Sequence, residues 1–379
     1  MPEQIKLLII EDYKPDQQTY LDAIKTLNLE LEPDFEIVAI VKETKEEGAA
    51  AIASMKDELH AAFIDLKLTK GQPVDVNEGN DLIAEIYQKL RFPVVVLTNT
   101  PGSFNGDFKI SLFLRVETKT DADYEAILRS VVDIYKTGIS RILGRSGLIE
   151  RMLDQIFWKN ISNTLGEWLK IKNPEKPLLR YTLAHIQEHL EISDDGAEFD
   201  TVFPIENYIV PTIKDYFFTG DIIQKSAEKT TRYVILNPAC DLAPHGPSKL
   251  PKATHLVLAE IQNFENTPFG TDIKRVKKLT SQSGSEEDIE KAKQGVFRTI
   301  TNNGSPQYYY LPDTKSIQGG LINFQRITTV KYSDMTTYEV IATISSPFIK
   351  DIIAKFSFYF SRQGSPDFEF ERLLAKHIA

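Results

Sequence analysis

Short apolar runs alternate with segments of helical period along the first 140 residues of the chain. The runs that predict strands are Ile5–Ile10, Phe35–Val41, Ala61–Ile64, Pro93–Leu97 and Ile110–Arg115. Each is rich in Ile, Val, Leu or Phe, as strands buried on both faces require. Apolar residues three and four apart predict helices over Asp16–Leu27, Glu43–Leu59, Gly79–Leu90 and Asp121–Tyr135. This alternation is typical of an α/β doubly wound fold with a five-stranded parallel sheet.

The pattern changes after the sequence GRSG at Gly144. One apolar stripe from Leu148 to Leu169 predicts a long amphipathic helix, and a second helix is predicted over Leu178–Leu190. The two helices could form a connector or a dimerisation hairpin, and packing onto their own domain is the favoured interpretation. We therefore predict a first domain at 1–140 and a helical connector at 141–195, with a homodimer as a possible assembly.

The remainder, 196–379, is predicted to be an α+β domain rich in strands and barrel-like. Lys274–Lys293 is highly charged and predicts a flexible loop with a solvated helix, and Pro347–Phe360 predicts a final amphipathic helix. The predicted strands are Tyr208–Ile209, Gly220–Ile223, Arg232–Leu236, His255–Ile261, Gln307–Leu311, Ile322–Val330 and Tyr338–Thr343.

Composition narrows the class of protein. A length of 379 residues exceeds the usual span of one hydrophobic core, which agrees with more than one domain. The net charge of −10 offers no general attraction to nucleic acid or anionic lipid, so neither is an expected partner. The single cysteine, Cys240, excludes an intramolecular disulfide, and no segment of roughly 20 apolar residues predicts a membrane span. We expect a cytoplasmic protein.

Polar side chains follow four of the five predicted strands. Glu11 and Asp12 come after the first strand, Asp65 after the third, Thr98 ends the fourth, and Lys119 lies past the fifth. In a doubly wound sheet these positions meet at one edge, where ligands bind. Clustered carboxylates need a cation, and oxygen ligands select a hard ion such as Mg²⁺. With that ion, Asp65 is the candidate nucleophile for an aspartyl phosphate.

In order, spacing and strand position these residues resemble the CheY-like response-regulator receivers over about the first 140 residues. The matching segments are IIED, FIDLKL and VVVLTNT. The resemblance implies a flavodoxin-like receiver fold and a phosphoryl group taken from a histidine kinase by Asp65. It also implies a Mg²⁺ site made of Glu11, Asp12, Asp65 and the backbone carbonyl of Lys67, with Asp12 as the favoured direct ligand. Thr98 would bind the phosphoryl oxygen and carry the signal.

The segment after the fifth strand departs from the family pattern. Receivers show Lys-Pro there, whereas this chain has FLRVETKTDADY. Lys119 lies 21 positions after Thr98, about where the family has its lysine, and Arg115 is the alternative. Val116 falls near the position of the usual aromatic switch residue, and the loop after Asp65 is longer than usual.

Candidate chemistry in the second half is sparse. Cys240, Asp241 and His245 lie in one predicted loop, with His255 on the next strand, and a structural role is the favoured interpretation. The pair His185 and His189, four residues apart on a helix, lacks a partner acid, so a solvated helix face is favoured.

The segments GDII, VILNPACDL and RQGSPDF resemble the accessory domain of receiver proteins from bacterial anti-phage two-component systems. This resemblance implies a protein of antiviral defence that regulates an effector protein or acts as a phosphate sink. Because the second half has no recognisable catalytic motif, we expect a protein that is not an enzyme. The rival hypothesis is a phosphorylation-controlled hydrolase or nuclease in which Asp241 or Asp221 binds a metal.

Overall fold

The structure is a computed structural model that describes residues 2–31, 34–68, 78–189, 201–227, 229–246, 250–282, 285–364 and 368–378. The chain forms two compact units, Met1–Phe199 and Asp200–Ala379. The predicted boundary between 195 and 196 and most of the long loop after Asp65 lie outside the described residues. The helices predicted as a connector belong to the first unit.

The first unit contains a five-stranded parallel sheet in the order β2-β1-β3-β4-β5, which confirms the predicted α/β sheet. The strands are β1 (Glu3–Ile10), β2 (Phe35–Lys42), β3 (Ala61–Ile64), β4 (Val94–Thr98) and β5 (Leu114–Thr118). This is the flavodoxin-like strand order, whose switch point lies between β1 and β3. The helices that cover the sheet are α1 (Lys14–Glu30), α2 (Lys45–Met55), α3 (Glu78–Lys89) and α4 (Tyr124–Lys136).

Alternate side chains of each strand point to opposite faces of the sheet, and both faces are covered. Leu7 and Ile9 of β1 pack with α1 and α4, whereas Leu8 and Ile10 pack with α2 and α3. All four side chains are fully buried. Burial on two sides explains why the strands are continuous apolar runs in the sequence.

The connection from β4 to β5 differs from the other connections. Its only helical element is the 3-10 turn Pro101–Ser103, within a segment that the structure describes throughout. The predicted strand Ile110–Arg115 is wrong at both ends, because Ser111 and Leu114 exchange backbone hydrogen bonds in a turn and β5 runs from Leu114 to Thr118. The apolar side chains of Ile110 and Leu112, which suggested the strand, are exposed.

Four further helices complete the first unit: α5 (Ile139–Leu143), α6 (Leu148–Ile156), α7 (Ser162–Trp168) and α8 (Glu175–His189). A π-helical turn, Phe157–Ile161, joins α6 directly to α7, so the predicted long helix is present with one irregular turn. Helices α6 and α8 contact each other, and Trp168 packs on Tyr181 of α8 at a ring distance of 5.3 Å.

The second unit contains one antiparallel seven-stranded sheet in the order β10-β11-β9-β8-β7-β12-β6. Among the described residues its outer strands β10 and β6 do not pair, so the sheet is open and the predicted barrel is not confirmed. The strands are β6 (Tyr208–Ile209), β7 (Asp221–Lys225), β8 (Arg232–Ile235), β9 (His255–Gln262), β10 (Tyr308–Leu311), β11 (Gly320–Lys331) and β12 (Tyr338–Ile344).

The helices of this unit are α9 (Ala239–Leu242), α10 (Pro268–Ser281), α11 (Glu286–Ile300), α12 (Ser346–Ser361) and α13 (Phe370–Ile378). The charged stretch Lys274–Lys293 was predicted as a loop with one helix, but its described residues belong mainly to α10 and α11, which contact each other. Helix α12 packs on one face of the sheet through Ile352 and Phe356, which confirms the predicted amphipathic helix. It is not the final helix, because α13 follows it and was not predicted. Within the described parts of the chain, no helix has the length and apolar character to cross a membrane.

Candidate functional site

The predicted site residues lie at the carboxyl-terminal edge of the first sheet. Ile10 of β1 pairs with Ile64 of β3, and the backbone N–H of Asp65 donates to the carbonyl of Ile10 at 3.0 Å. Asp65 is therefore level with Glu11. On the far side, Thr98 of β4 pairs with Thr118 of β5, and the N–H of Lys119 donates to the carbonyl of Thr98 at 3.2 Å. The strand register thus places all these residues at the same edge.

Lys119 is the centre of this cluster. Its Nζ donates to Glu11 Oε2 at 2.6 Å, to Asp65 Oδ2 at 2.7 Å and to Asp16 Oδ2 at 2.7 Å. The lysine side chain is only 7% exposed. Burial alone would lower the pKa of Lys119, but the three hydrogen bonds to carboxylates outweigh it and raise the pKa above its usual range. Lys119 is therefore a charged ammonium group that is held by three acids.

Glu11 is fixed by the start of α1. Its Oε1 accepts the backbone N–H of Tyr13 at 3.1 Å, and its Oε2 accepts the hydroxyl of Tyr20 at 3.1 Å. Burial raises the pKa of Glu11, against the opposing effect of Lys119. Burial also raises the pKa of Tyr20, so its hydroxyl keeps its proton and donates to Glu11. One carboxylate thus has both of its oxygens oriented by the chain.

A metal ion fits next to this lysine. Glu11, Asp12 and Asp65 each offer a carboxylate oxygen, and these atoms lie within 4.8 Å of one another. Among the described residues this is the only group of three or more acidic, histidine or cysteine ligands that could hold an ion. All three residues are buried, and carboxylate oxygens match the preference of Mg²⁺. The backbone N–H of Lys67 donates to Asp65 Oδ1 at 3.3 Å, and the metal-binding role of the Lys67 carbonyl stays a prediction.

Thr98 is buried at the end of β4, the strand adjacent to β3. Its Oγ1 accepts the backbone N–H of Thr100 at 3.2 Å and lies 3.3 Å from Thr100 Oγ1. The hydroxyl is thus bonded to the first residues of the irregular β4–β5 connection. A rearrangement of Thr98 would act directly on that segment.

Arg115, the alternative to Lys119, is directed elsewhere. It lies inside β5, and its guanidinium pairs with Glu117 at 2.6 Å. Lys119 contacts Asp65 directly, as the spacing from Thr98 suggested. Asp16 is a member of the cluster that was not predicted. The sequence does carry a signal for it, because a helix that begins right after β1 brings its first-turn acid to this edge.

The candidates of the second unit do not form a comparable group among its described residues. Cys240 is exposed, and its Sγ lies 3.7 Å from Asp241 Oδ1. His245 Nε2 lies 2.7 Å from the Cys240 carbonyl, and His255 Nδ1 lies 3.2 Å from the hydroxyl of its neighbour Thr254.

Asp221 of β7 is buried and accepts hydrogen bonds from the Thr343 hydroxyl and the Phe218 N–H, both at 2.7 Å. Its carboxylate therefore has partners within the unit.

In the first unit, the ring of His185 packs edge-on against Tyr181 at 4.4 Å, and His189 is exposed at the end of α8.

The chain was compared with protein families, curated proteins and solved structures. No protein-family profile and no curated protein matches the chain. Structural neighbours include CheY-like receivers and response regulators. A CheY-like receiver domain from Methanospirillum hungatei JF-1 is 14% identical, with a TM-score of 0.24, and the match covers 36% of this chain and 96% of that one.

Two further neighbours are complexes. One is the phosphorylated P1 domain of CheA3 with CheY6 from R. sphaeroides, at 15% identity and a TM-score of 0.23, covering 34% of this chain and 95% of that one. The other is RcsB, described as two dimers bound to two parallel DNAs, at 16% identity and a TM-score of 0.26, covering 51% and 95%. The expectation that this chain has no nucleic-acid partner stays a prediction.

Proposed function

We propose that this chain is a response regulator of a two-component phosphorelay and that its first unit accepts a phosphoryl group on Asp65. The observation that carries the proposal is the contact of Lys119 Nζ with Asp65 Oδ2 at 2.7 Å beside Glu11 and Asp12. This arrangement unites a carboxylate nucleophile, a fixed cation and a set of oxygen ligands for a hard ion. It supports phosphoryl transfer, in which catalysis consists of positioning and charge neutralisation.

In the transfer step, an Asp65 oxygen forms a bond to phosphorus while the P–N bond of a phosphohistidine breaks. The bonding electron pair stays with the imidazole of the kinase. A Mg²⁺ held by Glu11, Asp12, Asp65 and the carbonyl of Lys67 would neutralise charge on the incoming phosphoryl group. Lys119 then exchanges its hydrogen bond to Asp65 Oδ2 for one to a phosphoryl oxygen. The ammonium group of Lys119 thereby stabilises the negative charge of the phosphoryl group.

Thr98 provides the link from chemistry to conformation. Its hydroxyl is now shared with Thr100, and a phosphoryl oxygen on Asp65 would compete for the same hydroxyl. Movement of Thr98 toward the phosphoryl group would release Thr100 and shift the connection from β4 to β5. The connection is held by local turn hydrogen bonds and by Asn80 of α3, which bonds to the Ser103 carbonyl and to the Asn105 N–H, so the shift would have to break or carry these contacts.

We further propose that a histidine kinase is the donor and that the protein acts in anti-phage defence. There it regulates an effector protein, or it serves as a phosphate sink that accepts phosphoryl groups from the kinase and so limits accidental activation. The resemblance of the GDII and VILNPACDL segments supports this role. The second unit would then be an interaction domain in a cytoplasmic protein.

A phosphotransfer assay tests the donor. A histidine kinase labelled on its phosphohistidine is mixed with the wild-type chain, with Asp65→Asn or with Asp12→Asn, in the presence of Mg²⁺. Label should move from the kinase to wild type, and neither variant should accept it. Transfer to Asp65→Asn as fast as to wild type would refute Asp65 as the acceptor.

A further inference from the structure

Glu11, Asp12 and Asp65 form a carboxylate cluster at one edge of the first sheet. A cavity of about 210 Å³ lies at the opposite edge of this sheet. It adjoins the starts of β3 and β4 and is lined in part by α5, by the GRSG turn and by α6. Asp57 is the only carboxylate residue in its lining. Five cationic residues line this basic cavity: Lys56, Arg91, Arg141, Arg145 and Arg151. In a chain of net charge −10, such a concentration of positive charge is a distinct local feature.

The GRSG turn brings two of these cations together. A Cβ on Gly144 would lie 2.2 Å from the carbonyl oxygen of Ser140, and one on Gly147 would lie 2.8 Å from that of Arg141. Only glycine allows the turn to close this tightly on α5. The closure thus places Arg145 in the lining of the same cavity as Arg141.

Three arginines of the basic cavity are already oriented by the protein. Arg91 Nη1 donates to the Leu143 carbonyl at 2.9 Å, and Arg151 Nη1 donates to the Ser146 carbonyl at 3.0 Å. Arg141 pairs with Glu3 at 3.2 Å. A guanidinium has five N–H donors, so these contacts fix its direction and leave donors for a ligand. Preorganised donors reduce the entropy lost on binding.

Two cations and one hydroxyl in the lining have no partner among the residues that the structure describes. Within the described residues, neither Lys56 nor Arg145 has a carboxylate within ion-pair distance. Ser140 Oγ is a buried atom without a hydrogen-bond partner among the described residues. The Ser140 hydroxyl is therefore free to donate a hydrogen bond to a group bound in the cavity.

We propose that the basic cavity binds the diphosphate group of a small anion. Four of its five cations are arginines, whose planar fork matches phosphate oxygens in pairs. The volume is below that of a pocket for a whole drug-sized ligand, so it suits a compact anion or the charged end of a larger molecule. This site is separate from Asp65 and does not depend on the proposed phosphoryl transfer.

Calorimetric titration of the full chain with pyrophosphate tests the proposal. EDTA is included so that no metal ion draws the anion to the carboxylate cluster. The test variant Lys56→Gln/Arg145→Gln removes the two cations that have no ion pair among the described residues, so we expect it to fold. The matched control Lys25→Gln/Arg180→Gln removes the same charge from exposed positions on α1 and α8, where neither residue has an ion pair among the described residues. Thermal unfolding of each variant checks that it is folded.

Wild type and the control should bind pyrophosphate at one saturable site, and the test variant should bind about tenfold or more weakly because charge-assisted hydrogen bonds are lost. A parallel titration with ADP distinguishes the source of the diphosphate. If ADP binds more tightly than pyrophosphate, the ligand of the cavity is a nucleotide. If the two bind equally, the ligand is a free diphosphate anion. The proposal is overturned if wild type shows no saturable binding of either anion, or if the test variant binds as tightly as wild type.

Discussion

Lys119 Nζ lies 2.7 Å from Asp65 Oδ2, although the two residues are 54 positions apart in the sequence. The contact joins the ends of β3 and β5, which are separated in the sheet by β4. Lys119 also pairs with Glu11 and Asp16, so a single ammonium group neutralises part of the charge of several carboxylates. The stability of this edge therefore depends on one side chain.

Removing this ammonium group should destabilise the first unit. Lys119→Met keeps the length of the side chain but leaves buried carboxylates unpaired, which should cost about 3–5 kcal/mol of unfolding free energy without Mg²⁺. Added Mg²⁺ should recover more stability in this variant than in wild type. Denaturant unfolding with and without MgCl₂ measures both effects. Arg115→Met is the matched control, and an equally small loss in the two variants would contradict the role given to Lys119.

Asp16 should compete with a phosphoryl group for Lys119. Its ion pair with the lysine is half-buried, and such a pair contributes on the order of 1 kcal/mol. Asp16→Asn should therefore lengthen the lifetime of the phosphorylated protein by about two- to fivefold. The decay of the phosphorylated form after donor removal measures this. A shortened lifetime would show that Asp16 supports the phosphorylated state instead.

Gly79 allows α3 to approach the backbone that carries Asp65. A Cβ at this position would lie 2.5 Å from the Asp65 carbonyl oxygen and 2.6 Å from Leu66 Cα. Gly79→Ala should cost about 1–3 kcal/mol of stability, because backbone atoms must move to accept it. Gly166→Ala is the matched control in α7, where a Cβ meets open space, and it should be neutral or stabilising. Equal thermal shifts for the two variants would argue against a tight contact.

His60 should make stability depend on pH near neutrality. Burial lowers the pKa of His60, and the positive charge of Lys6 lowers it further. The Nδ1 atom of His60 accepts the backbone N–H of Lys6 at 3.0 Å. The unfolded chain therefore binds a proton more readily than the folded one. The stability that His60 contributes is present above pH 6.5 and is lost as pH falls below that value.

Chemical denaturation across this pH range tests the prediction. The loss in wild type should be absent in His60→Asn, whose shorter polar side chain does not titrate. The control His377→Asn, at an exposed position in α13, should keep the pH dependence of wild type. If His60→Asn retains the full dependence, another group is responsible.

Asp65→Asn should leave the fold intact. The amide oxygen can still accept a hydrogen bond from Lys119, and removal of one negative charge relieves repulsion within the carboxylate cluster. Thermal stability without Mg²⁺ should thus equal or exceed that of wild type. A clear loss would mean that the Lys119 pair outweighs the repulsion among the acids.

The sequence predicted the first sheet well because buried parallel strands have a strong local signal. It misplaced β5, an edge strand, where Arg115 and Glu117 interrupt the apolar pattern and exposed Ile110 and Leu112 imitate a strand. Spacing identified Lys119, since its distance along the chain from Thr98 does not depend on the bounds given to β5. The contact with Asp16 was missed, although the sequence places this acid in the first turn of the helix that directly follows β1.

In the second unit, the sequence identified all seven described strands but not their arrangement. Whether Tyr308–Leu311 and Tyr208–Ile209 meet to close a barrel depends on pairing between distant segments and on sheet twist. The charged stretch Lys274–Lys293 has few apolar residues, so the sequence predicted one helix and a loop where the structure has parts of two helices. The charge pattern was therefore a poor guide to the structure of this segment.

Intact-mass measurement after incubation with Mg²⁺ and a small phosphodonor tests the central claim most directly. Wild type should gain the mass of one phosphoryl group, the gain should disappear when EDTA replaces Mg²⁺, and Asp65→Asn should gain nothing. A wild-type chain that stays unmodified while a known receiver in the same tube is labelled, or an Asp65→Asn variant that is labelled like wild type, would contradict the account.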